Sequence, residues 1–403
     1  MTIADVDLFP VEIPVREWPD PYGVAPYVSG GRISDAPESW SYERALAAND
    51  AATEAGEKLL VRLRTDSGTE GWGEMCISNP GPGDSTTDSD DEFGRRLLDA
   101  VVAPAVRGLE PWEVESFLSN FDTYPSAYYR DITPFVAAVE TAMWDAWGKE
   151  LGVPVHQLLG GTCTDRVPLA YCLGLRKVEA SREAAQFARE AGFSTVKTKG
   201  SRYWKRDVER VKAMHEAVDG DLDFRVDPNQ AWGFEDAVRF GARLEDEGIY
   251  LQFLEQPIRV DSFGTLGTLR DRLQTPIGIN EDSYRAHRLD AAVRADAVDV
   301  AVLDLVAAGG ILSLKKLAAV GAEAGISMAH HTNFDLGIKT AAKLHVVAST
   351  PAIDLPLDSV YYAYDDCVFE TLLEYEDGAL LVPDRPGLAG PVDMEMIEEF
   401  RVD

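Results

Sequence analysis

Cysteine is scarce and unpatterned. Cys76, Cys163, Cys172 and Cys367 stand far apart, without the spacing of a zinc site or a disulfide framework, so free thiols are expected. No apolar run approaches the ~18 residues of a membrane span, and Met1 to Val11 lacks the basic-then-apolar order of a secretory leader. The expectation is a cytoplasmic protein. No Gly-x-Gly-x-x-Gly turn follows an early strand pattern, which removes the usual mark of a dinucleotide-binding sheet. Basic residues are outnumbered as well: 38 Lys and Arg face 69 Asp and Glu, a formal net charge of −31. Such a surface repels nucleic acid and anionic lipid and excludes both as partners. The acidity is spread through the chain rather than gathered in a tail. That distribution suits a halophile, because salt screens the self-repulsion.

What is present is a rhythm. The 403 residues exceed one small core, and the pattern divides them. Ile3 to Val15 alternates like a strand, and Lys58 to Glu74 reads as a hairpin turning at Asp66-Ser67-Gly68. Between them, Pro19 to Pro37 is a polar stretch holding Tyr22, Tyr27 and Arg32, too long for a plain connection and a candidate lid. Helical patterns near 92–107 and 112–121 complete an α+β block. A helix then runs from about Pro134 to Leu151. Beyond it, short apolar runs starting near Val167, Ser194, Asp221, Tyr250, Pro276, Val298, Ile326 and Ile353 alternate with amphipathic helices. Eight strands with crossover helices predict a closed parallel barrel, an α/β fold of the TIM type. The expected organisation is an N-terminal α+β part over residues 1–130, a barrel over 131–357, and a segment 358–403 that packs back on the N-terminal part.

In such a barrel chemistry gathers where strands run into their following loops. Phe193 to Gly200 reads as a strand that places Lys197 and Lys199 on one face. Two close ammonium groups ease each other's deprotonation, and a lysine neutral near pH 7 is a candidate base for carbon acids. The next three strand ends are Asp227-Pro228-Asn229, Glu255-Gln256-Pro257 and Asn280-Glu281-Asp282. Asp227, Glu255 and either Asn280 or Glu281 form a set of hard oxygen ligands suited to Mg²⁺, with no Cys or His to favour zinc. Asp304 and His331 follow on neighbouring strands, where the carboxylate would fix the imidazole. His330 points the other way and is expected to be a packed, bonded histidine.

These residues carry a family resemblance. The Trp144-Asp145 helix, the run Leu151 to Gly161, the Lys-x-Lys strand, the acidic series and the Asp/His pair together resemble the enolase superfamily in its mandelate racemase branch. The resemblance implies a (β/α)₇β barrel with a capping α+β domain, bound Mg²⁺, a small carboxylic acid substrate and a homo-oligomer. It also implies removal of the proton alpha to a carboxylate, with Lys199 the base on one face, Lys197 its modulator, and His331 with Asp304 the base on the other. His331-Thr332-Asn333 and Arg225 to Trp232 look more like glucarate dehydratases. On the eighth strand, Asp354 and Asp358 stand where mandelate racemase has a glutamate. The expected reaction is dehydration of a sugar acid to a 2-keto-3-deoxy acid. Racemisation or epimerisation is the first alternative and a muconate-type cycloisomerisation the second. Asn229, Asn333, Asp354, Arg32 and Tyr27 are the candidate substrate contacts, and Arg32 with Arg130 suggests a second carboxylate in the substrate.

Overall fold

The structure, a computed structural model, describes residues 1–14, 55–76, 96, 98–121, 132–332, 335–361 and 368–402. The N-terminal part is an antiparallel sheet of β1 (Ile3–Pro14), β2 (Ala55–Thr65) and β3 (Glu70–Cys76), in that order. The β2–β3 turn uses Gly68 at φ +92°, where a side chain would be strained.

Helix Thr133–Leu151 joins this sheet to the rest. Its apolar residues cover nearly the whole circumference rather than one stripe, so it is buried on every side. Gly71 and Gly73 of β3 let the sheet lie directly on it: a Cβ at Gly73 would stand 1.8 Å from the carbonyl oxygen of Ala138. Two buried acids of this helix bond to what surrounds it. Asp145 accepts from Trp72 N in the sheet and from Leu388 N in the C-terminal segment. Glu140 accepts from Ile311 N and Leu312 N, the first turn of a barrel helix.

The barrel follows as β4 (Arg166–Leu173), β5 (Thr195–Lys199), β6 (Asp223–Asp227), β7 (Phe253–Glu255), β8 (Ile277–Ile279), β9 (Val300–Leu303), β10 (Ser327–His330) and β11 (Leu357–Ser359). Each strand pairs in parallel with the next from β4 to β10, and β11 pairs with β4. A bond from Leu355 N to Met328 O joins the β11 side to β10 and closes the ring. Seven helical connections join the eight strands, from Val178–Glu190 to Gly337–Ala348, the one between β9 and β10 holding two α-helices, which makes the fold a (β/α)₇β barrel under an N-terminal cap. Phe253, Val300, Val302 and Ala329 form a separate apolar cluster, with Leu355 packed against it.

The C-terminal segment divides its contacts. The hairpin β12 (Tyr375–Glu376) and β13 (Ala379–Leu381) pairs antiparallel with β4 of the barrel instead of with the N-terminal sheet. Among the described residues of this segment, Phe400 and Val402 bond to β1, through Glu12 N and Pro10 O. No helix among the described residues is long and apolar enough to cross a membrane.

Candidate active site

The strand ends bring the predicted acids and bases together. Lys199 ends β5, Asp227 ends β6 and Glu255 ends β7, while Asn280 and Asp304 directly follow β8 and β9. Both lysines reach the same atom: Lys199 Nζ lies 2.7 Å and Lys197 Nζ 3.8 Å from Asp227 Oδ2. Lys199 also donates to Asn229 Oδ1 at 2.8 Å. Asn229 at φ +45°, Gln230 at +66° and Gln256 at +34° all hold left-handed backbone beside the acids, a conformation that is strained for non-glycine residues. The strain aims side chains: Gln230 Nε2 donates to Glu281 Oε1, and Gln256 Oε1 accepts from Asn280 N.

Lys197 corrects one expectation. It donates to Glu255 Oε1 and to Asp358 Oδ2, both at 2.7 Å. Burial alone would lower its pKa, but Asp358, Glu255 and Asp227 outweigh it and hold the ammonium well above the ordinary value. The neighbouring lysine therefore does not ease deprotonation of Lys197. Among its partners, Asp227 would be raised by burial, but Lys199 and Lys197 hold it at about 2. Glu255 is pushed up to about 8 by burial, only partly offset by Lys197.

The eighth strand corrects another. Asp354 precedes β11 and accepts from Met328 N and Ser327 Oγ at the start of β10, the end of the barrel opposite the lysines. The strand begins at Leu357, four residues later than its apolar pattern suggests, because Pro356 has no amide to pair and Leu355 is already bonded to β10. Asp358 is the acid that reaches the site. It accepts from Lys197 and from Arg225 Nη1 at 2.9 Å. Arg225 is fully buried, with its guanidinium carbon 4.8 Å from the Phe253 ring centre. Three cations (Lys197, Lys199, Arg225) thus meet three acids (Asp227, Glu255, Asp358) in one group, all buried except the partly exposed Lys199.

On the far wall, His331 Nδ1 stands 3.8 Å from Asp304 Oδ2, beyond hydrogen-bond reach, where the sequence suggested a bonded pair. Burial lowers the His331 pKa, against the pull of Asp304. His330 is turned away, with Nε2 accepting from Leu305 N and Nδ1 on the His331 carbonyl. Burial takes it down to about 3, so it stays neutral. Lys197, Lys199, His331, Thr332, Cys172 and Leu173 line one cavity. Tyr27, Arg32, Arg130 and Asn333 lie outside the described residues.

The donor chemistry fits a hard divalent cation. Asp227 and Glu255 supply oxygen from neighbouring strands, and Glu255 Oε2 is buried without a hydrogen-bond partner among the described residues. Asn280 is less available, since its carboxamide donates to Val302 O and accepts from the Tyr284 hydroxyl. Among the described residues, no three acidic, His or Cys side chains already converge as a cage. Asp227 and Glu255 are closed on the lysines, and Glu281 on Gln230.

The sequence offered Asp358 only beside Asp354, which it preferred as the substrate contact, and did not single out Gln230, Gln256, Tyr284 or Lys339 as site residues. Gln230 and Gln256 stand within three residues of a predicted acid, which was the available signal. Lys339 lies in a buried helix and had none.

Comparison with known proteins shows the family to which this fold belongs. Residues 179–396 match the enolase C-terminal domain-like family, and residues 45–160 match the mandelate racemase / muconate lactonizing enzyme N-terminal domain. An arabinonate dehydratase from Saccharolobus solfataricus is 32% identical over 275 residues, 66% of this chain and 72% of its own. An N-succinyl-L-Arg/Lys racemase from Bacillus cereus is 25% identical over 404 residues, 100% of this chain and 98% of its own. The solved structure of an isomerase from Streptomyces coelicolor superposes with a TM-score of 0.78 at 31% identity, covering 99% of this chain and 98% of that one. The protein is an enzyme and belongs to the mandelate racemase / muconate lactonizing enzyme family of the enolase superfamily.

Proposed function

We propose that this enzyme dehydrates a sugar acid, an aldonate or an aldarate, to a 2-keto-3-deoxy acid. The observation that carries the reading is that Lys199 and His331, two separate bases, line one cavity beside a cluster of acids. The similarity to an arabinonate dehydratase supports the choice of reaction.

The division of labour follows from the chain's own groups. His331 is held neutral by burial, so it can accept the proton alpha to the substrate carboxylate. The imidazolium so formed then returns that proton to the hydroxyl on the next carbon. The C–O bond breaks, water leaves, and the resulting enol becomes the ketone. Lys199, on the other wall, is the base for a substrate of opposite configuration. Lys197, charged and fixed, faces the substrate carboxylate and favours the negative charge that develops there. Asp227, Glu255 and Glu281 would hold Mg²⁺, which supplies positive charge that makes the alpha proton more acidic. Asn229 is a substrate contact beside Lys199. The capping part, residues 1–130, would cover the mouth of the barrel over 131–357 and select among acids.

A second reading is 1,1-proton transfer, favoured by the full-length similarity to a racemase and by the presence of two bases. Incubation in D₂O with Mg²⁺, KCl and a panel of sugar acids separates the two by proton NMR. Loss of the alpha-proton signal together with a 2-keto-3-deoxy product supports dehydration. Exchange without a new product replaces it with racemisation or epimerisation.

A further inference from the structure

The 3.8 Å gap between His331 and Asp304 has a cause in the structure, and it is a lysine. Asp304 is fully buried, and its Oδ1 accepts from Ala307 N at 2.7 Å. Its other oxygen, which would serve the imidazole, accepts from Lys339 Nζ at 3.2 Å. A buried ammonium–carboxylate contact is charge-assisted, and a neutral imidazole does not compete with it. Lys339 is itself buried, and its ammonium also lies 2.7 Å from Asp335 Oδ1. Asp335 in turn takes Lys343 Nζ at 2.6 Å and the hydroxyl of Thr332, which lines the cavity, at 2.8 Å.

The position of Lys339 along its helix is set from outside the barrel. Glu74, on β3 of the capping sheet, accepts from Leu336 N at 2.7 Å and from Lys339 N at 2.9 Å. It thereby bonds amides at the start of helix Gly337–Ala348, where N–H groups lack partners within the helix. One residue of the cap thus grips the backbone of the residue whose side chain occupies Asp304.

We propose that Lys339 is a positioning residue for the Asp304–His331 pair, and that Glu74 keys its placement to the capping sheet. Lys339 keeps Asp304 ionised while diverting it from the imidazole. His331 is then a weaker base than an Asp–His pair alone would make it. The charged groups facing His331 are Asp304, Lys197, Lys199 and Asp358, with Lys339 acting through Asp304. The proposal rests on the reading of His331 as an acid/base group. Its test reads the imidazole itself and not turnover, so failure of one is distinguishable from failure of the other.

The test is NMR titration of the full-length protein labelled at histidine Cε1. Of the signals from the six histidines, that of His331 is assigned by its loss in H331N. The expected wild-type midpoint lies below the ordinary ~6.5, or is not reached before acid unfolding. K339M is expected to raise it by about one pH unit, since the freed carboxylate can then bond the imidazole. K339R should keep the wild-type value, and E74Q should move it in the same direction as K339M but less. A wild-type midpoint above ~6.5 overturns the proposal, as does an unchanged midpoint in a cooperatively folding K339M. Should K339M not fold, the wild-type midpoint and E74Q decide.

Discussion

Asp358 holds the ammonium of Lys197 at 2.7 Å, while its other oxygen takes the guanidinium of Arg225. A single carboxylate therefore compensates two cations, all three groups being almost wholly removed from water. In D358N buried Arg225 loses the carboxylate it pairs with, and Lys197 loses one of the three acids around it. We expect the unfolding free energy to fall by about 3–5 kcal/mol, the usual cost of stranding a buried charge. Denaturant titration measures it, and a loss within ~0.5 kcal/mol, typical of a surface change, would contradict the pairing described.

His331 is the group assigned both proton acceptance and hydroxyl departure, yet it touches none of the proposed metal ligands. H331N should abolish turnover while Mg²⁺ affinity, read by calorimetry, stays near the wild-type value. Retained dehydration in this variant would remove His331 from the mechanism.

Glu140 gives a pH signature. Burial raises its carboxyl from 4.5 to about 7, against three donated hydrogen bonds. The folded state thus holds this proton more tightly than the unfolded state does. Its contribution is complete below the unfolded value and is lost as pH rises through the folded one. Wild type should therefore lose stability relative to E140Q between about pH 5 and about pH 7, by at most about 1.4 kcal/mol per unit, and then level off. Glu74 is raised to about 7 as well, with burial the leading cause, but it is common to both proteins and cancels. Urea unfolding across that range checks the slope; a difference independent of pH would refute it.

The net charge of −31 sets the salt response. Screening shortens from about 10 Å at ~0.1 M salt to about 3 Å at ~1 M. Repulsion among surface acids should then fall, and the thermal midpoint should climb steadily as KCl is raised across that interval. A midpoint that is flat or falling would count against adaptation to a high-salt solvent.

Most of the barrel was legible because each strand is a short apolar run bounded by an amphipathic helix, and the period survives in the composition alone. The ends of β5 to β7 were legible for a simpler reason: a charged residue closing an apolar run has nowhere to go but the rim. Asp354 and Asp358 were not separable that way. Both flank Leu355-Pro356-Leu357, and the choice depends on where β11 starts, which is fixed by a bond to β10 and by a proline without an amide. Lys339 was hidden for another reason. On a helix whose residues are buried on every side, a lysine in a charge pair looks the same in sequence as one reaching solvent. The contacts that distinguish them come from Asp304, Asp335 and Glu74, and sequence patterning cannot bring these together.

The bonds between β1 and residues 400–402 bear on the order in which the molecule is made. Glu12 N pairs with Phe400 O, and Val402 N with Pro10 O. On the ribosome β1 emerges long before this edge can be paired, since its partners are translated almost four hundred residues later. From β4 to β10 each barrel strand meets its next neighbour only a few tens of residues away and can pair while synthesis continues, whereas β4 waits longer for β11. For that interval β1 presents open hydrogen-bonding groups, a template for pairing with other nascent chains. Its aspartates and Glu12 give the waiting edge negative charge, a natural guard against such pairing.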